Sequence, residues 1–190
     1  MKYELTEIAK RIQGITLYRI RALKSFANIK EGDLGGYVES VKNLDQSGDA
    51  WVYDDACVFG NAWVSGKARV YDNACVYDDA KIYGKTCVSD NARVSGYAGV
   101  YNGAKVFGNA KVYGDARVSG KARVSGKAKV FGNARVYGDA RVYDNACVYD
   151  NARVYDDAWV YDDARVYGVA NVSGNARVYG DARMYKKVTQ

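Results

Sequence analysis

The stretch whose reading decides the fold is ARVSGKAKVFGNARVYGDARVYDNACVYDN, residues 122–151. Divided into sixes from Ala122, it repeats one phrase: alanine, a variable residue, valine, an aromatic or serine, glycine or aspartate, then asparagine, aspartate or lysine. The frame runs unbroken from Ala50 to Lys187 as 23 consecutive hexads. Thr86 alone departs from alanine in slot one, and only Ile82 and Met184 depart from valine in slot three. An uninterrupted short period is the mark of a solenoid. Because side chains alternate along a strand, slots one and three face inward and slots two and four outward. Slots five and six carry turn chemistry, with glycine and asparagine suited to positive φ. Three hexads close a triangular coil of 18 residues, and 23 hexads make between seven and eight coils. A calcium-binding β-roll is the competing repeat, but it needs a period of about nine.

The totals narrow the function classes. The 190 residues include 18 Tyr and 20 Gly but no Pro and no His. No apolar run approaches the ~20 residues of a membrane-crossing helix. The opening MKYELTEIAKRIQ is charged where a signal peptide would be apolar. A cytoplasmic protein with no membrane partner is expected. The net charge of +6 is uneven: residues 104–139 hold eight basic side chains against Asp115 and Asp139, while the coils flanking that belt are close to neutral. Cys57, Cys75, Cys87 and Cys147 all occupy slot two, none in a Cys-x-x-Cys pair. With no His to complete a zinc set they read as uncharged residues on a β surface, and a disulfide scaffold fits a cytoplasmic protein poorly.

Residues 1–43 stand outside the repeat and are expected to cap the solenoid, since a repeat array needs an atypical end unit. Leu5, Ile8, Ala9 and Ile12 fall at helical spacing, with Gly14 as a stop. ITLYRIRAL then alternates as a strand, and NIKEGDLGG supplies turns at Gly32 and Gly35–Gly36. Residues 44–187 form the solenoid, opening on the degenerate hexad 44–49, and 188–190 form a tail. With the N-terminal end capped, the exposed coil edge is expected at the C-terminus, where Lys186 and Lys187 guard against strand pairing.

The Ala-x-Val phrase, held throughout residues 50–184, resembles the left-handed β-helix of the hexapeptide-repeat superfamily, whose signature is an aliphatic residue with a small one two positions earlier. LYRIRALKSF (17–26) and GDLGGYVES (32–40), leading into GDAWVY (48–53), resemble the opening of uncharacterised bacterial and prophage hexapeptide-repeat proteins labelled as transferases or polymer-forming proteins. The resemblance covers essentially the whole chain. It implies an all-β, left-handed parallel β-helix, a trimer as the superfamily's common state, and, for a phage-derived chain, a virion or host-cytoplasm location. Acyltransferases of this fold use a catalytic His near a loop that interrupts the coils, and its γ-class carbonic anhydrases hold zinc with three His. This chain has neither the His nor the loop, so no catalytic residue, metal ligand or cofactor is expected. A base drawn from the aspartates would be needed for the alternative, an acyltransferase-like enzyme, and nothing distinguishes one.

Each outward residue stacks on the one 18 positions on, which defines three faces: face one from Trp51, face two from Cys57 and face three from Trp63. Face two is the least polar, and aromatics with few charges suit an interface. Its interface candidates are Cys57, Phe59, Cys75, Tyr77, Tyr113, Phe131, Cys147, Tyr149 and Tyr167. A solvated ladder of rings covering one another is the competing reading. The belt residues Lys105, Lys111, Arg117, Arg123, Lys129 and Arg135 alternate with aromatics, which suits an anion or single-stranded nucleic acid, although they wrap all three faces and form no single track. Asp pairs such as Asp156–Asp157 are considered as calcium ligands, against the ordinary use of Asp in turns. The expected function is a non-enzymatic structural or interaction solenoid that self-associates, preferably as a trimer, or binds a protein partner. The alternatives are an acyltransferase-like enzyme and a binder of an anionic ligand or nucleic acid.

Overall fold

The computed structural model describes residues 1–186, 188 and 189, and no described residue is helical. From Trp51 onward the chain lays down a two-residue rung on slots two and three of nearly every hexad: Trp51–Val52, Cys57–Val58, Trp63–Val64 and onward. Each pairs in parallel with the rung 18 positions later, Trp51 with Arg69, Cys57 with Cys75 and Trp63 with Lys81. Three parallel sheets result, two of eight strands and one of eleven. They are the three expected faces of a β-solenoid.

The slot pattern explains why the sheets close into a tube. From Ala68 to Val172 every slot-one and slot-three side chain is fully buried. Small alanines alternating with β-branched valines fill a narrow core, and β-branching favours the strand backbone. Thr86 enters that core at no cost in unpaired groups, because its hydroxyl donates to the Tyr83 carbonyl at 2.7 Å. At the corners the slot-four carbonyl accepts from the next slot-one amide, as Tyr71 does from Ala74 at 3.3 Å. Slot five has positive φ in every hexad from Asp54 to Gly180, the conformation that glycine adopts most freely. Where slot five is aspartate, its left-handed backbone costs ~1 kcal/mol, and at every such corner but Asp144 the carboxylate offsets this by accepting the corner amide of the next coil. Asp90 takes the Gly108 amide at 2.8 Å, Asp162 that of Gly180 at 3.0 Å, and Asp150 that of Gly168 at 3.1 Å. Gly126 has no such freedom: a Cβ there would lie 2.7 Å from the Asp144 amide nitrogen.

The N-terminal segment is β throughout, in strands β1 (Tyr3–Ile12), β2 (Ile15–Ala22) and β3 (Leu34–Val38). The helix expected over residues 5–12 is absent. β1 pairs antiparallel with β2, and its register slips between Leu5 and Ala9, where three residues of β1 oppose one of β2. That bulge at Thr6, Glu7 and Ile8 interrupts the two-residue alternation and spaces the apolar residues as a helix would. The turn expected at Gly35–Gly36 is absent too. Both glycines lie in β3, where a Cβ on either would come within 2.6 Å of Val52 atoms. β3 pairs antiparallel with β2 and parallel with Cys57–Val58, so the segment extends the sheet of face two, and β1 is that sheet's free edge. The exposed edge is therefore not confined to the C-terminus; at the N-terminal end the bulge and the charged Glu4, Glu7, Lys10 and Arg11 make β1 a poor pairing template.

Tyr3, Ile20, Ala22 and Ile29 cover the N-terminal pole of the core. Trp51, placed outward by its slot, is instead buried at 1% exposure, edge-on to Phe26 at 5.4 Å and Tyr3 at 6.1 Å. The Lys2 ammonium lies beneath this layer and donates to the Ala50 carbonyl at 2.9 Å, with Ser47 and Gly48 carbonyls at 3.4 Å. Burial pushes its pKa down to about 8. Asn43 donates to the Gly60 and Ala62 carbonyls and Leu44 bridges Val64, so the first coil begins at this junction. At the far end Val188–Thr189 pairs with Val172–Ser173, carrying the sheet of face three past residue 187. The expectations placed on Lys187 and Gln190 lie outside the described residues.

Candidate binding surfaces

Face two divides at its third rung. The hairpin arm formed by the end of β1 and the start of β2 reaches onto the outer surface, where Leu17 joins Tyr37, Cys57 and Phe59 in a second buried cluster flanked by Ile12, Ile15, Cys75 and Tyr77. Lys10 fixes the arm, donating to the Asp55 carbonyl at 2.8 Å with its ammonium 3.9 Å from the centre of the Tyr37 ring. Cys57 and Phe59 are thus 2% and 4% exposed. They are removed from the set of interface candidates, because the chain's own arm already occupies them. Cys75 and Tyr77 border that contact. The Cys57 and Cys75 thiols stack on neighbouring rungs. The neighbouring Cys75 thiol, together with burial, raises Cys57, and the Cys57 thiol holds Cys75 down to about 7. Each thiol donates to the carbonyl two residues before it, Asp55 at 3.2 Å and Asn73 at 3.7 Å.

Beyond Ser95 the column is bare. Tyr113, Phe131, Tyr149 and Tyr167 stack at 4.9, 4.9 and 5.2 Å with interplanar angles of 7° or less, and Tyr185 follows, tilted, at 6.2 Å. The geometry is that of offset stacking, each pair adding ~0.5–1.5 kcal/mol beyond its area. Burial raises the Tyr113 phenol above its ordinary value. Cys147 sits beside this run in slot two, between Lys129 and Arg165. The structure therefore keeps Tyr113, Phe131, Cys147, Tyr149 and Tyr167 together as one half-buried strip, covered only by one another and the flanking side chains.

The six belt cations fall two to a face. Lys105 pairs with Arg123 on face one, Lys111 with Lys129 on face two, and Arg117 with Arg135 on face three. Each pair continues into a third basic rung: Arg141 on face one, Arg93 on face two and Arg153 on face three. The belt is thus three short like-charged ladders, one per face. Like charges ~5 Å apart repel by about 0.8 kcal/mol even in water. Among the described residues the three ion pairs lie at or beside the cap, Lys10–Asp55, Arg21–Glu4 and Lys67–Asp49, and none neutralises the belt. On face one Arg141 and Arg177 stack over opposite sides of the Trp159 rung at 4.7 and 4.8 Å, a contact that slot spacing alone does not announce.

The paired aspartates do not converge as ligands. Slot-five carboxylates of Asp78, Asp156 and Asp162 already accept corner amides, and no three His, Cys, Asp or Glu among the described residues gather as a metal site.

The repeat that builds these faces has a named counterpart. The family model described as the YdcK beta solenoid repeat matches residues 110–126, 128–144, 146–162 and 170–186. The chain is similar to that repeat there. The first three matches begin 18 residues apart, one coil, each on a slot-one alanine entering face two, and the fourth begins one hexad late at Ala170. No curated protein matches the chain.

Proposed function

We propose that this protein is a non-enzymatic interaction solenoid whose copies associate through the bare strip of face two. The observation that carries the reading is the contrast along one column: at Cys57 and Phe59 an apolar β-arm of the chain packs on the face, while Tyr113, Phe131, Tyr149 and Tyr167 present the same kind of surface with no cover. The strip is flat and rigid because each ring is held by its neighbours, so little side-chain entropy is lost on docking. It carries Lys111, Lys129 and Arg165 at its border and no acidic side chain in slots two or four, which leaves an aromatic centre with a charged rim.

A trimer is the assembly proposed, following the likeness to hexapeptide-repeat proteins. That superfamily, the left-handed sense of the coil, a bacterial or prophage origin and a cytoplasmic location belong to the same proposal. An acyltransferase-like reading finds less support: the outward residues repeat along ladders and do not converge on a nucleophile, base and oxyanion donor.

Light scattering at increasing protein concentration tests the reading. The native chain is expected to exceed the monomer mass, and Tyr149→Asp, which sets a carboxylate in the middle of the strip, to return it to a monomer with the fold intact. A native chain that stays monomeric at high concentration, or a Tyr149→Asp variant that assembles as before, removes the proposal.

A further inference from the structure

We propose that the gap at Ser119 on face three binds a planar aromatic ring carrying a phosphate, the chemistry of a nucleotide. The aromatic column of this face is interrupted there. Tyr83 and Tyr101 stack at 4.9 Å and 2° below it, and Tyr137 and Tyr155 at 5.0 Å and 3° above it. Ser119 occupies the intervening rung, so Tyr101 and Tyr137 stand two rungs apart with no ring between them. A ring inserted at that level would meet a tyrosine on each side at about the 5 Å spacing of the ladder itself. The resulting hollow, about 240 Å³, is lined by Tyr101, Arg117, Ser119, Arg135, Tyr137 and Arg153.

The electrostatics select an anion. Arg117, Arg135 and Arg153 are three successive rungs, without an ion-pair partner among the described residues, and no carboxylate lines the hollow. Comparable hollows differ on this point. The one beside Gly99 includes Asp79 and Asp115, and the one at Ser89 includes Asp90. Guanidinium groups grip phosphate oxygens in a fork, and stacking on tyrosine accepts any base. The site lies on a different face from the association strip and stands whether or not that strip pairs.

A free nucleotide and a unit of a single strand share this chemistry. Calorimetric titration with AMP, adenosine, ribose 5-phosphate and a single-stranded adenylate hexamer separates them. AMP is expected to bind at least tenfold more tightly than either of its halves. Ser119→Tyr completes the ladder with the protein's own ring; it is expected to weaken AMP at least tenfold while the Tm stays level or rises. Arg135→Gln is expected to weaken AMP and the hexamer and to flatten their salt dependence. A hexamer that binds like AMP assigns the site to free nucleotides, and a tighter hexamer assigns it to strands. The proposal is overturned if AMP binds no better than ribose 5-phosphate, or if Ser119→Tyr binds AMP as the native protein does. Should Ser119→Tyr fail to fold, Tyr137→Ala removes one wall. It must weaken AMP and spare ribose 5-phosphate, and equal loss of both overturns the site.

Discussion

The first rungs of face two and its last five carry the same column of outward side chains into opposite surroundings. Cys57 and Phe59 are buried beneath the arm of residues 10–17, whereas the run from Tyr113 to Tyr185 is bare and supports itself by ring-on-ring stacking. One end shows what this surface does when apolar β-structure is within reach. The other is a surface of the same composition with nothing of this chain against it. A β-ladder is thus neutral as to use: slots two and four give it a chemistry, and what covers it decides whether that chemistry is core or surface.

The contrast can be broken from the covered side with the largest effect. Leu17→Ala leaves a cavity in the arm contact and is expected to cost ~2–4 kcal/mol. It should also turn Cys57 from an unreactive thiol into one open to an alkylating reagent; loss of stability with Cys57 still protected would show that the arm does not hold the cover. Lys10→Met removes the donor to Asp55 and the charge over Tyr37, with an expected loss of ~1–2 kcal/mol in urea unfolding. On the bare side, Phe131→Ser removes two stacked contacts, for about 1–2 kcal/mol, and its larger effect should be on assembly. Unchanged assembly with lowered stability would make the strip a purely structural ladder. The smallest effect concerns the pole. Lys2 releases its proton at about 8 in the folded protein against 10.5 unfolded, so the unfolded chain binds more protons in between and the Lys2 contribution to stability rises with pH across that window. Urea midpoints at pH 8 and 9.5 should show this rise in the native chain and lose it in Lys2→Met.

Periodicity made the solenoid legible because its information is local: Ala in slot one, Val in slot three and a corner residue tolerant of positive φ repeat the same instruction in every hexad. The cap was not legible in that way. Its β1 strand hides its alternation behind the bulge at Thr6–Ile8, and Gly35 and Gly36 read as a turn when they are there to let the backbone approach Val52. Trp51 and Phe59 follow the slot rule in direction, but their burial depends on Phe26 and Tyr3 in one case and Leu17 in the other, far earlier in the chain, which no six-residue frame records. The belt and its spread over three faces were legible from the 18-residue register; the hollow that gathers Arg117, Arg135 and Arg153 around Ser119 between two tyrosines needed that register to be laid out in space. The carboxylate-to-amide bonds between corners, such as Asp150 to Gly168, are written in the same register and explain why aspartate replaces glycine at so many corners.

The four free thiols are built-in reporters of the two sides of this comparison. Cys147 stands in the bare strip of face two, and Cys87 stands on face one, away from it. The most direct measurement is the alkylation rate of each cysteine, read by mass spectrometry, as protein concentration is raised. If copies associate through face two, the Cys147 rate falls with concentration while the Cys87 rate holds constant. A Cys147 rate that does not change, or one that falls in step with Cys87, contradicts the account.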